Sequence, residues 1–275
     1  MKNRKIVLII ATFIMLFILA SCGRIEATNN TVNVKKVEVS DYNIATLEDA
    51  LVIASEKTSQ SVIALFDTTA FTSSLGSAVV TKRVPYKNGV VTNNDDDVDY
   101  YEYYAITNKH VVEKKGKIYS YVYLTNQVDD DKYKSLEVQV VNSITNLDLA
   151  VIKFRTQIYV PVVKIKNSNH LKTGQIVIAV GTPADISFYN TVTMGIISNP
   201  LRYYEENGIG NYFIQHDAAI NPGNSGGGLF DIEGELIGIN TWRFLDDKDS
   251  FYSLGFAIPS SIIYTNLSQY IDNYN

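Results

Sequence analysis

The 275-residue chain is 46% hydrophobic and 19% charged, with a formal net charge of −5. That balance suits a globular protein with a sizeable core and gives no electrostatic reason to bind nucleic acid. A single cysteine excludes an intramolecular disulfide.

The first element in chain order is a leader. Lys2, Arg4 and Lys5 precede a run from Ile6 to Ala20 that is apolar apart from Thr12. It is shorter than the roughly 20 residues a spanning helix needs and suits the core of a signal peptide over residues 1–21. The run ends in Leu19-Ala20-Ser21-Cys22-Gly23, which resembles the bacterial lipobox, where Cys22 would receive a diacylglycerol and anchor the chain to a bilayer. An ordinary cleaved signal and an uncleaved anchor are the alternatives. Residues 22–45 are polar and read as a flexible tether.

The spacing of Leu47, Ala50, Leu51 and Ala54 predicts a short helix over Leu47–Lys57, capped by Thr46. Strands are expected at Ser61–Phe66, Ser74–Thr81, Tyr100–Thr107, Val122–Leu124, Leu136–Val141, Gln175–Gly181, Asn190–Asn199, Tyr212–Ile214, Leu236–Ile239 and Ser253–Pro259. The stretch Lys82–Asp99, with Asn88-Gly89 and the run Asp95-Asp96-Asp97, reads as a long solvated loop. It lacks the ligand alternation of a calcium site. A turn is expected at Asp129–Lys132, and a C-terminal helix over Ser260–Asn275.

Chemistry concentrates in Gly223-Asn224-Ser225-Gly226-Gly227-Gly228. Glycines around a serine permit a sharp turn that points Oγ outward and aims successive N–H groups at one spot; a glycine-rich hairpin turn is the plain alternative. The string also fits the α/β-hydrolase nucleophile elbow, but there the histidine follows the serine. Here His110, His170 and His216 all precede Ser225, which leaves the order His…Asp…Ser. His110 lies where the strand Tyr104–Thr107 ends, a usual place for a catalytic group and also for a structural histidine. His170 sits in a polar turn, and His216 is a weaker rival for the base. Asp148, flanked by leucines, reads as partly buried and in need of a partner such as an imidazole Nδ1–H, or else as a strand-start cap or surface ion pair.

The strings GSAVVTK, ITNKHVV, DLAVIKF, VGTP, TVTMGIIS, IQHDAAINPGNSGGGLF, GELIGINT and GFAIPSS occur in this order. Together they resemble the protease domain of the HtrA/Deg-type serine endopeptidases, of trypsin-like, chymotrypsin-fold type, over roughly Glu48 to Ser261. The resemblance implies an all-β fold over 46–275, two packed six-stranded antiparallel β-barrels with short N- and C-terminal helices and a barrel boundary near 165–172. It makes His110 the general base, Asp148 its orienting carboxylate and Ser225 the nucleophile. The oxyanion hole would be the backbone N–H groups of Gly223 and Ser225.

The same resemblance places Ala219, Ile220 and Asn240 at the substrate pocket, which would take small or medium apolar side chains. ITNKHVV also looks like the glutamyl endopeptidases, in which case His216 would help bind an acidic side chain. Polypeptides are the implied substrates, and no metal or organic cofactor is implied. Three departures stand out. Gly228 replaces a usual proline and should loosen the turn after the nucleophile. The tyrosine-rich stretch Tyr86–Tyr103 is long. The sequence also stops soon after Pro259, without the usual PDZ domain. The rival functions are a catalytically silent binding lipoprotein and a protease whose loops order only with a partner.

Overall fold

The computed structural model describes residues 44–67, 74–93, 97–113, 118–123, 133–206, 209–241 and 253–274. The leader, Cys22, the expected tether up to residue 43, Asp95-Asp96 and the expected turn at Asp129–Lys132 lie outside them, while the last two residues assigned to the tether, Ile44 and Ala45, are helical. Residues 43–275 form one compact unit. No helix among the described residues is long and apolar enough to cross a membrane.

The unit opens with helix α1 (Ile44–Ser59). Thr46 therefore lies inside the helix rather than capping it, because the helical turn extends back through Ile44 and Ala45. Strands β1 (Val62–Phe66), β2 (Ser74–Lys87), β3 (Val90–Val91) and β4 (Tyr100–Asn108) follow. Next come the one-turn helix α2 (Lys109–Val112) and strands β5 (Ile118–Tyr123), β6 (Tyr133–Ile144) and β7 (Leu149–Thr156). They form a sheet in the order β1-β5-β6-β7-β4-β2-β3, and β1 also pairs with β2. That extra pairing closes six strands on themselves and leaves β3 as an outlying ribbon. Strands β8 (Ile176–Gly181), β9 (Thr191–Glu206), β10 (Ile209–His216), β11 (Gly228–Asp231), β12 (Leu236–Thr241) and β13 (Gly255–Pro259) close a second six-stranded barrel. Closure removes the exposed edges that an open sheet would present. This is the two-barrel, all-β architecture the resemblance implies.

Alternation along each strand explains the continuous apolar runs. Ile63 and Leu65 of β1, Ala150, Ile152 and Phe154 of β7, and Tyr103 of β4 fill the first barrel. Val177 and Ala179 of β8, Leu229 of β11 and Ala257 of β13 fill the second. The intervening residues join a third cluster: Val62, Val79, Leu149 and Val151 meet Ile178, Val180, Phe230 and Ile258 there, with Ala54 of α1. Strands buried on both faces lose the polar-out pattern of a half-exposed sheet. Each such side chain is worth roughly 1.5–3 kcal/mol on burial, so the interface between barrels is itself core.

The stretch Lys82–Asp99 is not a long loop. Strand β2 continues through Lys87 and pairs Tyr86 with Tyr100 of β4, while Asn88 (φ 51°) and Gly89 (φ 75°) make the two-residue turn into β3. Such turns match strand twist and favour Asn-Gly. The Tyr86 and Tyr100 rings stack at 5.0 Å and carry the Arg155 guanidinium, so polar composition here reflects a ribbon with a solvated face.

The C-terminal helix α3 (Ser260–Leu267) is shorter than expected. Beyond a 3₁₀ turn at Ser268–Tyr270, the tail returns to the first barrel. Thr81 donates to the Tyr270 carbonyl at 2.7 Å, and the Asp272 carboxylate accepts from the Arg83 N–H at 2.9 Å.

Candidate active site

His110 sits on α2, one turn of helix at the end of β4. Asp148 ends the 3₁₀ turn Thr145–Leu147 in the left-handed conformation, φ 54° and ψ 38°, which aspartate tolerates better than most residues. The turn directs the Asp148 carbonyl to the Lys109 N–H at 3.0 Å and to the Asn108 side-chain amide at 3.2 Å. Its carboxylate then meets His110 twice. Oδ1 accepts the His110 backbone N–H at 3.0 Å, and Oδ2 lies 2.7 Å from the ring Nδ1. A third donor, Thr241 Oγ1 of β12, reaches Oδ2 from the second barrel at 3.4 Å. Asp148 is buried, whereas the His110 side chain is about one-third exposed (31%). An ionised carboxylate can only accept, so Nδ1 carries a proton and the neutral ring's Nε2 is the basic nitrogen.

Ser225 follows a tight turn. The Asn224 N–H donates to the Asn221 carbonyl at 2.9 Å, with Pro222 second and Gly223, at φ 102°, third. That is a type II turn, in which proline presets the second position and positive φ at the third favours glycine. A side chain on Gly223 would also strike the Thr182 carbonyl. The Pro222 carbonyl accepts from the Ala184 N–H at 3.0 Å and the Asn224 carbonyl from the Gly227 N–H at 2.9 Å. None of these bonds uses the N–H of Gly223.

The serine turn presses on the first barrel where His110 is mounted. The Ser225 carbonyl accepts from the Ser77 N–H of β2 at 2.8 Å. A Cβ on Gly76 would fall 2.8 Å from that carbonyl and 2.6 Å from Val111, the neighbour of His110. Gly226, at φ 83°, packs so closely on Ser77 and Thr107 that no side chain would fit. The Gly226 N–H donates to the Asn240 carbonyl of β12, one residue before the threonine that touches Asp148. Residues distant in sequence thus converge on one seam between the barrels.

A model of the trypsin-like peptidase domain matches residues 87–239 of the chain. The chain belongs to the trypsin-like peptidase family. Among relatives, a probable periplasmic serine endoprotease, DegP-like, of Chlamydia pneumoniae is 42% identical over 57% of this chain and 30% of its own length. The serine protease Do-like HtrA of Lactobacillus helveticus is 37% identical over 61% of the chain and 40% of its own. The chain spans about a third of the length of these curated relatives. A solved serine-to-alanine variant of the HtrA-type protease AlgW, with a tripeptide, superposes with TM-score 0.60 at 31% identity, covering 81% of this chain and 64% of that one.

Not every candidate of this trypsin-like chain joins the seam. His170 is exposed in its turn. His216 is fully enclosed within the second barrel, its ring packed on Gly255. Burial pushes its pKa down to about 4; Asn240 and Asp217 act weakly in the other direction, without a hydrogen bond of good geometry to either ring nitrogen. At neutral pH it is uncharged. Ala219 is exposed and Ile220 half-buried, but Asn240 is fully enclosed and donates to the Gly228 carbonyl at 2.9 Å. Gly228 lies just past the serine turn. It opens β11 in register with Val180 and Ile239, and a larger residue there would strike the Phe230 ring.

The enclosed imidazole makes a prediction about acid stability. The unfolded chain protonates His216 near pH 6.5, the native chain only near 4, so its contribution to stability is full above pH 6.5 and is lost as pH falls towards 4. The loss is about 3 kcal/mol for a shift of this size. Urea unfolding at pH 7.5 and pH 4 should show the decline in wild type and a shallower one in His216→Thr. Equal declines would remove the imidazole as the cause.

Asp231, Glu233 and Glu235 bring their carboxylates together, but Lys166 occupies the middle at 2.7, 3.0 and 3.7 Å and Lys164 pairs with Glu235. These ammonium groups already supply the charge a metal would bring. Residue-level reading missed Thr241, Asn108, Ser77 and Ala184 at the seam. Each lies in or beside a motif string, yet none has a side chain that advertises chemistry.

Proposed function

We propose that this chain is a membrane-tethered serine endopeptidase that cleaves exported or unfolded polypeptides through an acyl-enzyme. One observation carries the reading: Asp148 grips His110 by both Nδ1 and the backbone N–H, on the seam against which the Ser225 turn is packed. In this scheme His110 Nε2 takes the Ser225 Oγ proton as the oxygen attacks the peptide carbonyl. The N–H groups of Gly223 and Ser225 receive the oxyanion, and His110 passes its proton to the leaving amine. Water then repeats the sequence to release the acid. Asp148 stays ionised and keeps the imidazole in the productive tautomer.

Apolar primary specificity is favoured over glutamyl specificity. Ala219 and Ile220 bring no charge, and His216 is enclosed and neutral, so none of these three residues offers a cation to an acidic side chain. Sequencing the new termini after digestion of an unfolded protein tests this. Cuts after Ala, Val or Ile support the assignment, and cuts after Glu reverse it. A silent binding lipoprotein would yield no cuts at all.

An envelope location fits the leader and the periplasmic designation of relatives, with Cys22 as the acylated anchor. Cys22→Ala should move the protein from the membrane to the soluble fraction of lysed cells. Retention of the variant in the membrane would refute lipid anchoring.

A further inference from the structure

We propose that Ser77, on the first barrel, is a positioning residue for the oxyanion hole of the second. This rests on the peptidase reading above. Ser77 is fully buried, and its hydroxyl has two partners. It donates to the Gly223 carbonyl at 2.9 Å and accepts the Thr182 N–H at 2.9 Å. The polarity is fixed, because a carbonyl can only accept and an amide N–H can only donate. Its backbone is engaged as well: the N–H donates to the Ser225 carbonyl at 2.8 Å, and the carbonyl accepts from Thr107 Oγ1 at 2.6 Å.

These bonds matter because of which peptide planes they hold. The two oxyanion donors belong to the peptides 222–223 and 224–225, whose carbonyls are pinned by Ala184 and Gly227. The alternate peptides, 223–224 and 225–226, are those whose carbonyls Ser77 holds. Four successive planes are thus fixed, two of them by one serine of the other barrel. Rotating the 223–224 plane changes ψ of Gly223 and φ of Asn224 and so re-aims the donors on either side. Glycine at 223 offers little resistance to such rotation. Without the hydroxyl, the Gly223 carbonyl and the Thr182 N–H would be left buried and unpaired, which favours a rearranged turn.

The test uses full-length protein, a peptide amide substrate and a peptide boronate that forms a tetrahedral adduct on the nucleophile. Losing one oxyanion donor outright costs about 10²–10³ in kcat. Misaiming the pair through Ser77→Ala should lower kcat roughly 10- to 100-fold, with KM changed by less than about threefold. Boronate affinity should fall in step with kcat/KM, as expected when only transition-state binding is lost. Ser77→Cys fills similar space with a weak donor and covers the case in which the alanine variant does not fold. Ser260→Ala is the control: this buried serine donates to the Lys166 carbonyl away from the seam, so its loss should lower Tm without separating kcat from KM. Unchanged boronate affinity in both Ser77 variants, or loss tracking Tm as in the control, would overturn the positioning role. If wild type binds no boronate and cleaves nothing, the peptidase reading fails, and the positioning role with it.

Discussion

Ser225→Ala should lower kcat for a peptide amide by roughly 10⁵–10⁶-fold, the scale seen when a serine nucleophile is removed. The fold should be unaffected. The turn is held by backbone bonds from Ser77, Asn224, Gly226 and Gly227, and alanine keeps the Cβ while removing only the hydroxyl. KM should therefore change little. A residual rate of about 10³–10⁴ over water should persist, because the Gly223 and residue-225 N–H groups remain to stabilise an oxyanion. Steady-state kinetics with a calorimetric Tm on the same preparation checks both halves. Undiminished turnover would transfer the chemistry to another residue.

The second large effect is expected at Asp148. Asp148→Asn should reduce kcat by about 10⁴ while leaving stability near that of wild type. Asparagine tolerates the left-handed backbone found there, so the 3₁₀ turn and the carbonyl bonds to Lys109 and Asn108 should survive. The loss arises from acceptor count. The carboxylate accepts at both oxygens, from the His110 N–H and from Nδ1, but an amide has one oxygen and one NH₂. With its oxygen on the backbone N–H, the NH₂ faces Nδ1, which must then accept. The ring proton moves to Nε2, and that nitrogen can no longer take the serine proton. Imidazole ¹⁵N shifts would report the tautomer change. A kcat within tenfold of wild type would show that the carboxylate does not set the tautomer.

The fold was legible because two-sided burial leaves a mark: Val62–Phe66 is buried at every position and reads as an unbroken apolar run, and Leu236–Ile239, buried throughout, is apolar with one glycine. The pairing of His110 with Asp148, and the packing of the Ser225 turn against the first barrel, were legible only through chain order and motif strings. Nothing local told that Asp148 would turn left-handed, a consequence of ending a 3₁₀ turn against Lys109. The ribbon at Lys82–Asp99 was misread because its tyrosines and aspartates look like loop residues, while what orders them is cross-strand: Tyr86 on Tyr100, and Lys87 paired with Asp97 and Asp99. Ser77 and Thr241 were invisible for a related reason. Their partners lie 146 and 93 residues away, and a short hydroxyl side chain gives no sequence signal of a bond made across two barrels.

The most direct measurement is peptide mapping by mass spectrometry after treatment of the resting, full-length protein with a fluorophosphonate. The account predicts one adduct per chain, on the tryptic peptide containing Ser225 and localised to that residue by fragmentation. No adduct at saturating reagent with or without substrate polypeptide, or an adduct confined to another residue, would contradict it.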